Sequence, residues 1–500
     1  MNSNAFTSID DLPLSHSAMA LPHRRDLTSL FFSVWTCATI AFFWLVLDEE
    51  IRHWFIVPVT MCGMLIGIDA AAWFRGEVDL FNPVGVMGLL GAHLFFLAPL
   101  LHVTWNYWMY CPGAPADWRD WLGGMAILNF FGIAIYRWSC GFIKNCTRNA
   151  PPRPVWKLSK TRLQWLLGLA LSITAAAQFY VYLKFGGISG YIDAYMTTPE
   201  AFEGMGWQLM ISESFPILAA VGFAIYARHR QWRMGNFSVA LFLLVFCIVQ
   251  FLFGGLRGSR SNTIWALFWA TGIIHFWLRP MGKRLLYAGM AALVMFVYVY
   301  GFFKETGIKN LDVQQSIELG QKRGRTLDAM ILGDFGRADI QAFLLYRLMS
   351  PSSDYEYAWG RTYAGAIALS IPKAIWPDRP ATSVKAGTDA QHYMGAYTPK
   401  LMESSKVYGL AGETLLNFGP FAVPFSFIIF GLCVGWVHRL LIHLQPLDSR
   451  LLVMPFLVNL CFPVLIGDSD NIIFFILKQG FVPLSVIFLS SLRIPAEVEA

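Results

Sequence analysis

Long apolar runs recur along almost the whole sequence, and they constrain the fold more than any other feature. A helix of roughly 17 to 25 apolar residues crosses the hydrocarbon of a bilayer, and about twelve such runs are present. With 56% hydrophobic and only 14% charged residues, the chain is too apolar for an ordinary soluble protein. We therefore predict an all-α polytopic membrane protein with about twelve transmembrane helices. The predicted spans lie near 28–47, 54–74, 82–102, 119–137, 163–184, 207–227, 237–254, 262–278, 285–303, 415–436, 451–467 and 472–491.

The basic residues between the spans predict which side each loop faces. The stretch 137–162 contains seven lysines and arginines and no acidic residue. The positive-inside rule makes this stretch cytoplasmic. Counting spans from it puts both termini in the cytoplasm and puts the long segment 304–412 on the outer side.

That outer segment divides the chain into three regions. At about 110 residues it is too long for a simple connection between helices. We predict an N-terminal transmembrane region of about nine helices (1–303), a large outer loop with short helices (304–412), and a C-terminal transmembrane region of about three helices (413–500).

Two arginines stand in the stretch FLFGGLRGSRSNT at 251–263, between two predicted spans. Arg257 and Arg260 fall on the outer side, where the charge rule does not require basic residues. One interpretation is that they reach the phosphates of the outer leaflet, as many interfacial arginines do. The other is that their guanidinium groups form a forked anion site at the membrane boundary, for which a diphosphate is the natural ligand.

The outer loop is rich in cations and aromatic residues. Within it, the second half of QKRGRTLDAMILGDFGRADIQAFLLYRLM at 321–349 predicts an amphipathic helix, with Asp334 as N-cap and with Ile340, Phe343, Leu344 and Leu348 on its apolar side. Because acidic residues nearly balance the basic ones, the loop is not a nucleic-acid patch, and we expect no nucleic-acid partner. The interleaved tyrosines and tryptophans fit both an interfacial aromatic belt and platforms for sugar rings.

Other common kinds of site have no counterpart in the sequence. The eight cysteines lie mostly in apolar runs, without zinc-ligand spacing, so we expect neither a metal site nor a disulfide framework. No Rossmann or P-loop motif is present, and we expect no cofactor. The sequence DSD at 468–470 has the letters of a metal-and-nucleotide motif, but in a short outer turn we interpret it as chance.

The segment GETLLNFGPFAVPFSFIIFGL leads into the tenth predicted span, with Glu413 at its mouth and Asn417 one turn below. A carboxylate in that position is either a capping residue at the start of the helix or a base that faces a cavity.

Several of these motifs, in this order, resemble the O-antigen polymerases of the Wzy type, which join oligosaccharide repeat units. The resemblance covers roughly residues 180 to 440 and begins with KFGGISGYIDAY. Its further motifs are the arginine-bearing turn at 257–260, FGR at 335–337, YAWGRTY at 357–363, IPKAIWPDRP at 371–380 and GETLLNFGPFAV at 412–423.

The resemblance implies a GT-C-like glycosyltransferase of the bacterial inner membrane with a periplasmic active site. Its donor and acceptor would both be undecaprenyl-diphosphate-linked oligosaccharides, and membrane lipids and a chain-length regulator protein would be further partners. The family's functional arginines correspond to Arg257, Arg260 and Arg337, and then to Arg361 and Arg379. Lys373 stands where the family has an arginine, and a lysine cannot make the same bidentate contact with phosphate.

The physical chemistry of the implied reaction assigns roles to these residues. Cleavage at the diphosphate develops negative charge that fixed guanidinium groups stabilise without a metal. The acceptor hydroxyl must lose a proton to a base, for which Glu413, His392 and Asp339 are the candidates. We predict Glu413, Arg257, Arg260 and Arg337 as catalytic. We predict that the substrate is bound by Arg323, Arg325, Arg361, Lys373, Arg379, His392, Tyr363 and Asn417.

Two alternative functions remain open. An O-antigen ligase, which transfers the finished polymer to a lipid A core, shares the architecture and the donor. A secondary transporter also fits about twelve spans, and Glu213 and Lys478 within predicted spans would then belong to a coupling pathway. Against the transporter, the two halves show no repeat and the outer loop is unusually long.

Overall fold

The structure is a computed structural model, and nearly all of its regular elements are helical. It describes residues 27–109, 111, 113–145, 154–197, 199–202, 204–254, 256, 260–292, 295, 328–351, 353–372, 375–392, 406–446 and 448–494. Its main helices are α1 (Leu27–Leu47), α2 (Ile56–Arg75), α3 (Pro83–Thr104), α4 (Trp118–Asn145), α5 (Lys160–Lys184), α6 (Ile188–Thr197), α7 (Gly206–Ser212), α8 (Phe215–His229), α9 (Asn236–Phe253), α10 (Arg260–Ile273), α11 (Ala338–Met349), α12 (Arg361–Ala368), α13 (Ser383–His392), α14 (Gly409–Phe418), α15 (Val423–Ile442), α16 (Met454–Ile466), α17 (Ser469–Phe475) and α18 (Phe481–Ser490).

Within these described ranges, nine helical stretches are long and apolar enough to cross a membrane. They include α7 with α8, and α17 with α18, each counted as one stretch. The prediction of a helical polytopic membrane protein is therefore confirmed. Of the three remaining predicted spans, α16 has only 13 residues, and α10 continues as a π-helix from Ile274 to Leu278. The span predicted at 285–303 lies mostly outside the described residues.

The tenth predicted span begins later than we expected. Gly419 ends α14 with φ of 80°, and Pro420 follows it before α15 begins at Val423. Glycine takes this backbone conformation at little cost, and proline cannot continue the hydrogen bonding of the preceding helix. Residues 415–418 therefore belong to a separate short helix. Glu413 lies inside that helix, so its predicted position at the mouth of the span was wrong.

A small β-sheet is an exception to the all-α prediction. Strand β1 (Val155–Leu158) pairs antiparallel with β2 (Ser491–Ile494), and Val155 lies opposite Ile494. Arg450 attaches a third segment to this sheet, because its Nη2 donates to the carbonyl of Pro154, the residue before β1, over 2.8 Å. We call this end of the bundle the sheet end. It brings together three segments that the charge rule puts on one side of the membrane.

The opposite end of the bundle, which we call the loop end, carries the helices of the predicted outer loop. At this end the indole of Trp54 donates to Asp120 over 2.7 Å, which joins the start of α2 to the start of α4. The long helices α4 and α15 connect the two ends and pack closely. Gly132 faces the ring of Phe427, and a Cβ at this position would overlap that ring. Small residues of this kind allow membrane helices to approach each other.

Candidate functional site

A buried carboxylate lies at the centre of the loop end. Glu413 is 3% exposed, and its Oε1 accepts hydrogen bonds from the hydroxyls of Thr362, at 2.7 Å, and Ser469, at 2.6 Å. Its Oε2 accepts from the backbone N–H of Ser469 over 2.6 Å. One side chain therefore links α12, α14 and the start of α17.

Asn417, one turn further along α14, completes the same network. Its Nδ2 donates to the Thr362 hydroxyl over 2.7 Å and to the Glu413 carbonyl over 2.8 Å. Its Oδ1 accepts from the backbone N–H of Gly360 over 2.9 Å. The amide is fully buried, so it fixes the segment that leads into α12.

A second acid, Asp468, attaches α13 to this network. Its Oδ1 accepts from the backbone N–H groups of Tyr408 and Gly409, at 2.9 and 2.8 Å, and its Oδ2 accepts from the Ser383 hydroxyl at 3.2 Å. We call Thr362, Glu413, Asn417, Asp468 and Ser469 the polar junction. The interpretation of DSD as chance leaves two of these residues, Asp468 and Ser469, without a predicted role. The available signal was that acids beside apolar spans need partners.

Burial controls the electrostatics of the polar junction. It raises the pKa of Glu413, while the hydrogen bonds from Ser469 and Thr362 oppose the rise. Burial, together with the nearby charge of Glu413, raises the pKa of Asp468 well above its usual range. The same two causes raise the pKa of Tyr363, the residue after Thr362, to about 12.

Arg337 lies beside the polar junction, immediately before α11. Its Nε donates to the Ile466 carbonyl over 3.1 Å, and its Nη1 donates to the Gly333 carbonyl over 3.0 Å. The first contact brings the guanidinium close to the turn that contains Asp468. A small cavity adjoins Arg337 and is lined by Leu94, Phe95, Arg337, Ala338, Gln341, Ala411, Phe427 and Leu465.

The other predicted cations of the outer loop are less closely tied to the polar junction. Arg361 is exposed at the start of α12, and its Nε donates to the Ala358 carbonyl over 3.1 Å. Arg379 is half-buried and donates to the Ile371 carbonyl over 3.0 Å. Arg260 is the first residue of α10, and its side chain lies outside the described part of the chain. Four predicted site residues also lie outside it: Arg257, Arg323, Arg325 and Lys373.

The two other candidate bases are buried on separate helices. His392 is the last residue of α13 and is 4% exposed. Asp339, in the first turn of α11, is 7% exposed, and its Oδ1 accepts from the Ile340 N–H over 2.7 Å.

The helix predicted in the second half of 321–349 is present, as α11. It begins at Ala338, and Asp334 ends a preceding π-helix, so the predicted N-cap was wrong. Of the predicted apolar side, Ile340, Phe343 and Leu344 are buried and Leu348 is half-buried. The polar residues of the helix are buried as well, so burial does not set one face apart: Asp339, Gln341 and Arg347.

A second polar site lies within the membrane-spanning part. Lys478 Nζ is 3.0 Å from Glu213 Oε2, and the carboxylate side chain is 1% exposed. Both residues interrupt a helix: Glu213 lies between α7 and α8, and Lys478 belongs to a π-helical turn from Ile476 to Gly480. Nearby, Gln479 donates to the Asn262 carbonyl over 3.0 Å. Irregular backbone at membrane depth is tolerated where it is buried in protein.

One group of side chains in the described ranges has ligand atoms close enough to hold a metal ion. It consists of His53, Asp117 and Asp120 at the loop end. Arg119 already neutralises Asp117, with Nη2 at 2.8 Å from Oδ2, and Asp120 accepts from Trp54. These contacts satisfy the acids without an ion, so we assign no metal to the group.

Comparisons with protein-family profiles, with curated proteins and with solved structures find no match to this chain.

Proposed function

We propose that this protein polymerises undecaprenyl-diphosphate-linked oligosaccharide repeat units into a surface polysaccharide. The observation that carries the proposal is the hydrogen bond between Thr362 and Glu413. It joins YAWGRTY to GETLLNFGPFAV, two motifs of the resemblance that are far apart in sequence. FGR, a third motif, lies beside them through the contact of Arg337 with Ile466. If these motifs belong to one enzyme family, we expect them to meet at one site in the fold.

The proposed chemistry is a metal-independent transfer of a glycosyl group. The acceptor hydroxyl attacks the anomeric carbon of the donor, the bond to the diphosphate breaks, and the diphosphate leaves with the bonding electrons. Arg257, Arg260 and Arg337 stabilise the charge that develops on this leaving group. A general base takes the proton of the acceptor hydroxyl.

Glu413 is the proposed base, and its contacts define what that role requires. A carboxylate has about four lone-pair sites, and three of those on Glu413 accept hydrogen bonds from Thr362 and Ser469. One site remains for an acceptor hydroxyl. Because the side chain is 3% exposed, the competing role is that of a carboxylate that only holds α12 against the 467–470 turn.

The direct test is an assay with purified protein and lipid-linked repeat units as the only substrates. A polymerase lengthens the saccharide under these conditions. An O-antigen ligase requires a lipid A core acceptor and leaves the repeat units unchanged. A transporter, for which the intramembrane pair of Glu213 and Lys478 is the supporting observation, moves the lipid between leaflets without changing its length.

The proposal also assigns each end of the bundle to a side of the bacterial inner membrane. The loop end is periplasmic, and the sheet end and both termini are cytoplasmic. We expect a cysteine at exposed Lys385 to react with a membrane-impermeant maleimide in intact spheroplasts. A cysteine at exposed Lys157, in β1, should react only after lysis. The unsubstituted protein measures the background of native cysteines. The reverse pattern would overturn both the sidedness and a periplasmic active site.

We expect Arg257→Lys and Arg260→Lys each to shorten the polymer although the charge is kept. A compact ammonium cannot reproduce the forked contact of a guanidinium with two phosphate oxygens. The measurement is the length distribution of the surface polysaccharide at matched protein levels. As a control, Arg230→Lys changes an exposed arginine that is predicted to be cytoplasmic. Wild-type lengths in both test variants would leave these arginines as outer-leaflet contacts only.

A further inference from the structure

Trp359 has an unusual backbone conformation for a bulky residue. Its φ is +47°, and among the described residues only Asn106 and Gln231 are other non-glycine residues with positive φ. Its side chain is 71% exposed, so burial does not compensate for the strain. A bulky residue in this region is an outlier that costs stability and is often found at ligand-binding positions.

Hydrogen bonds to the end of α14 hold this conformation. The N–H groups of Ala358 and Trp359 donate to the carbonyls of Leu416 and Asn417, over 3.0 and 3.1 Å. The next N–H, that of Gly360, donates to Asn417 Oδ1 over 2.9 Å. The backbone is thus fixed on both sides of Trp359.

The indole belongs to a series of neighbouring aromatic rings. Its centroid lies 6.1 Å from that of Tyr357 and 6.3 Å from that of Phe418, and both pairs meet edge to face. Phe418 in turn stacks with Tyr363 at 6.3 Å. We call Tyr357, Trp359, Phe418 and Tyr363 the ring series. It ends one residue from Thr362, which donates to Glu413.

The ring series also adjoins the lipid-facing surface of the bundle. Phe421, Phe425 and Ile429 are 86%, 64% and 66% exposed and follow each other at intervals of four residues. They form an apolar stripe in the first half of the span from Pro420 to Ile442, which begins two residues after Phe418. In a bilayer whose hydrocarbon covers this stripe, the ring series would stand at the level of the headgroups. A saccharide attached to a membrane lipid has its first sugar at that level.

We propose that the ring series is a binding subsite for a sugar ring of the lipid-linked saccharide, with the lipid chain along the stripe. The inference rests on the proposed function for the identity of the ligand. The face of an aromatic ring carries negative charge density, and the C–H groups of a sugar face supply the complementary positive edge. A bilayer belt needs only an amphipathic ring at headgroup level and gains nothing from a strained backbone.

The test compares two lipids bound to protein in nanodiscs: a polyprenyl diphosphate that carries an oligosaccharide, and the same polyprenyl diphosphate without sugar. We expect Trp359→Leu to weaken binding of the first about tenfold and to leave binding of the second unchanged. Leucine keeps an apolar side chain for the bilayer but removes the flat ring. Trp376→Leu, at an exposed tryptophan outside the ring series, is the matched control and should change neither affinity.

A second variant separates the subsite from a folding role. Glycine adopts the conformation of residue 359 without strain, so Trp359→Gly should not lower the thermal unfolding midpoint and should lose the same affinity for the glycosylated lipid. A lowered midpoint, an equal loss for both lipids, or unchanged affinities would overturn the subsite. A wild-type protein that binds the glycosylated lipid through Trp359 but never lengthens it would overturn the polymerase instead.

Discussion

Replacement of Glu413 by glutamine is expected to leave a folded protein whose turnover falls about a hundredfold or more, the usual scale for loss of a general base. Glutamine is nearly isosteric, and its Oε1 can still accept from the Ser469 N–H. Its Nε2 can donate to the hydroxyls of Thr362 and Ser469, which rotate to accept. Binding of lipid-linked donor should therefore persist. The measurement is turnover of purified variant on a defined lipid-linked substrate, beside its donor affinity.

Glu413→Ala is the companion variant, because it removes the hydrogen bonds as well as the proton acceptor. It takes the acceptor away from the buried Thr362 hydroxyl, at a cost of about 1–3 kcal/mol, and from the half-buried donors of Ser469, at a smaller cost. It should therefore lower the thermal midpoint, which the glutamine variant should not. His392→Ala should cost far less activity than either. Near-normal turnover in Glu413→Gln, together with a damaged alanine variant, would make Glu413 a positioning residue and transfer the role of base to His392 or Asp339.

The second large effect is expected on stability, at the ion pair within the membrane. Lys478→Met removes the cation 3.0 Å from a carboxylate that is 1% exposed. Removal of one partner from a buried ion pair costs about 3–5 kcal/mol. We expect a correspondingly lower free energy of unfolding in detergent micelles, measured with denaturant. Methionine matches the length of lysine, so lost packing contributes little.

The double variant Glu213→Gln with Lys478→Met is the control for that experiment. It removes both charges, and replacement of a complete buried pair by neutral groups is often close to neutral for stability. Most of the loss in the single variant should therefore be recovered. If Lys478→Met alone is as stable as wild type, the two charges do not depend on each other. If the double variant is stable but inactive, the pair serves the activity.

The sequence predicted the spans better than the site, for physical reasons. A span depends on composition over a continuous stretch, and nine of the predicted runs are long apolar helices within the described residues. The break at Gly419 was predictable, since glycine followed by proline ends a helix. Because the residues on both sides of it are apolar, we predicted one continuous span there instead. The sheet was not predictable, because neither four-residue strand carries a pattern of its own.

The polar junction was predicted only in part. Glu413 and Asn417 were singled out because polar residues before an apolar span are conspicuous. Their partners Thr362 and Ser469 lie 51 and 56 residues from Glu413 along the chain, and contacts at such separations leave no local signature. Asp468 was visible as an acid in a short turn, but once the DSD letters were interpreted as chance no role was assigned to it. Its role is shown by the hydrogen bonds that it accepts from two backbone N–H groups, those of Tyr408 and Gly409. Only the fold brings these groups close to Asp468.

The pairing of β1 with β2 has a consequence for how a ribosome can deliver this protein to the bilayer. β1 is translated before most of the spans, whereas β2 follows α18, the last described helix. The helical stretch Ser469–Ser490 also supplies Ser469 as a partner of Glu413 and Lys478 as a partner of Glu213. Until that stretch is inserted, Glu213 lacks Lys478 and Glu413 lacks the two donors of Ser469. The stretch Ser469–Ser490 and the strand after it therefore complete contacts at both ends of the bundle only after the preceding spans have been made.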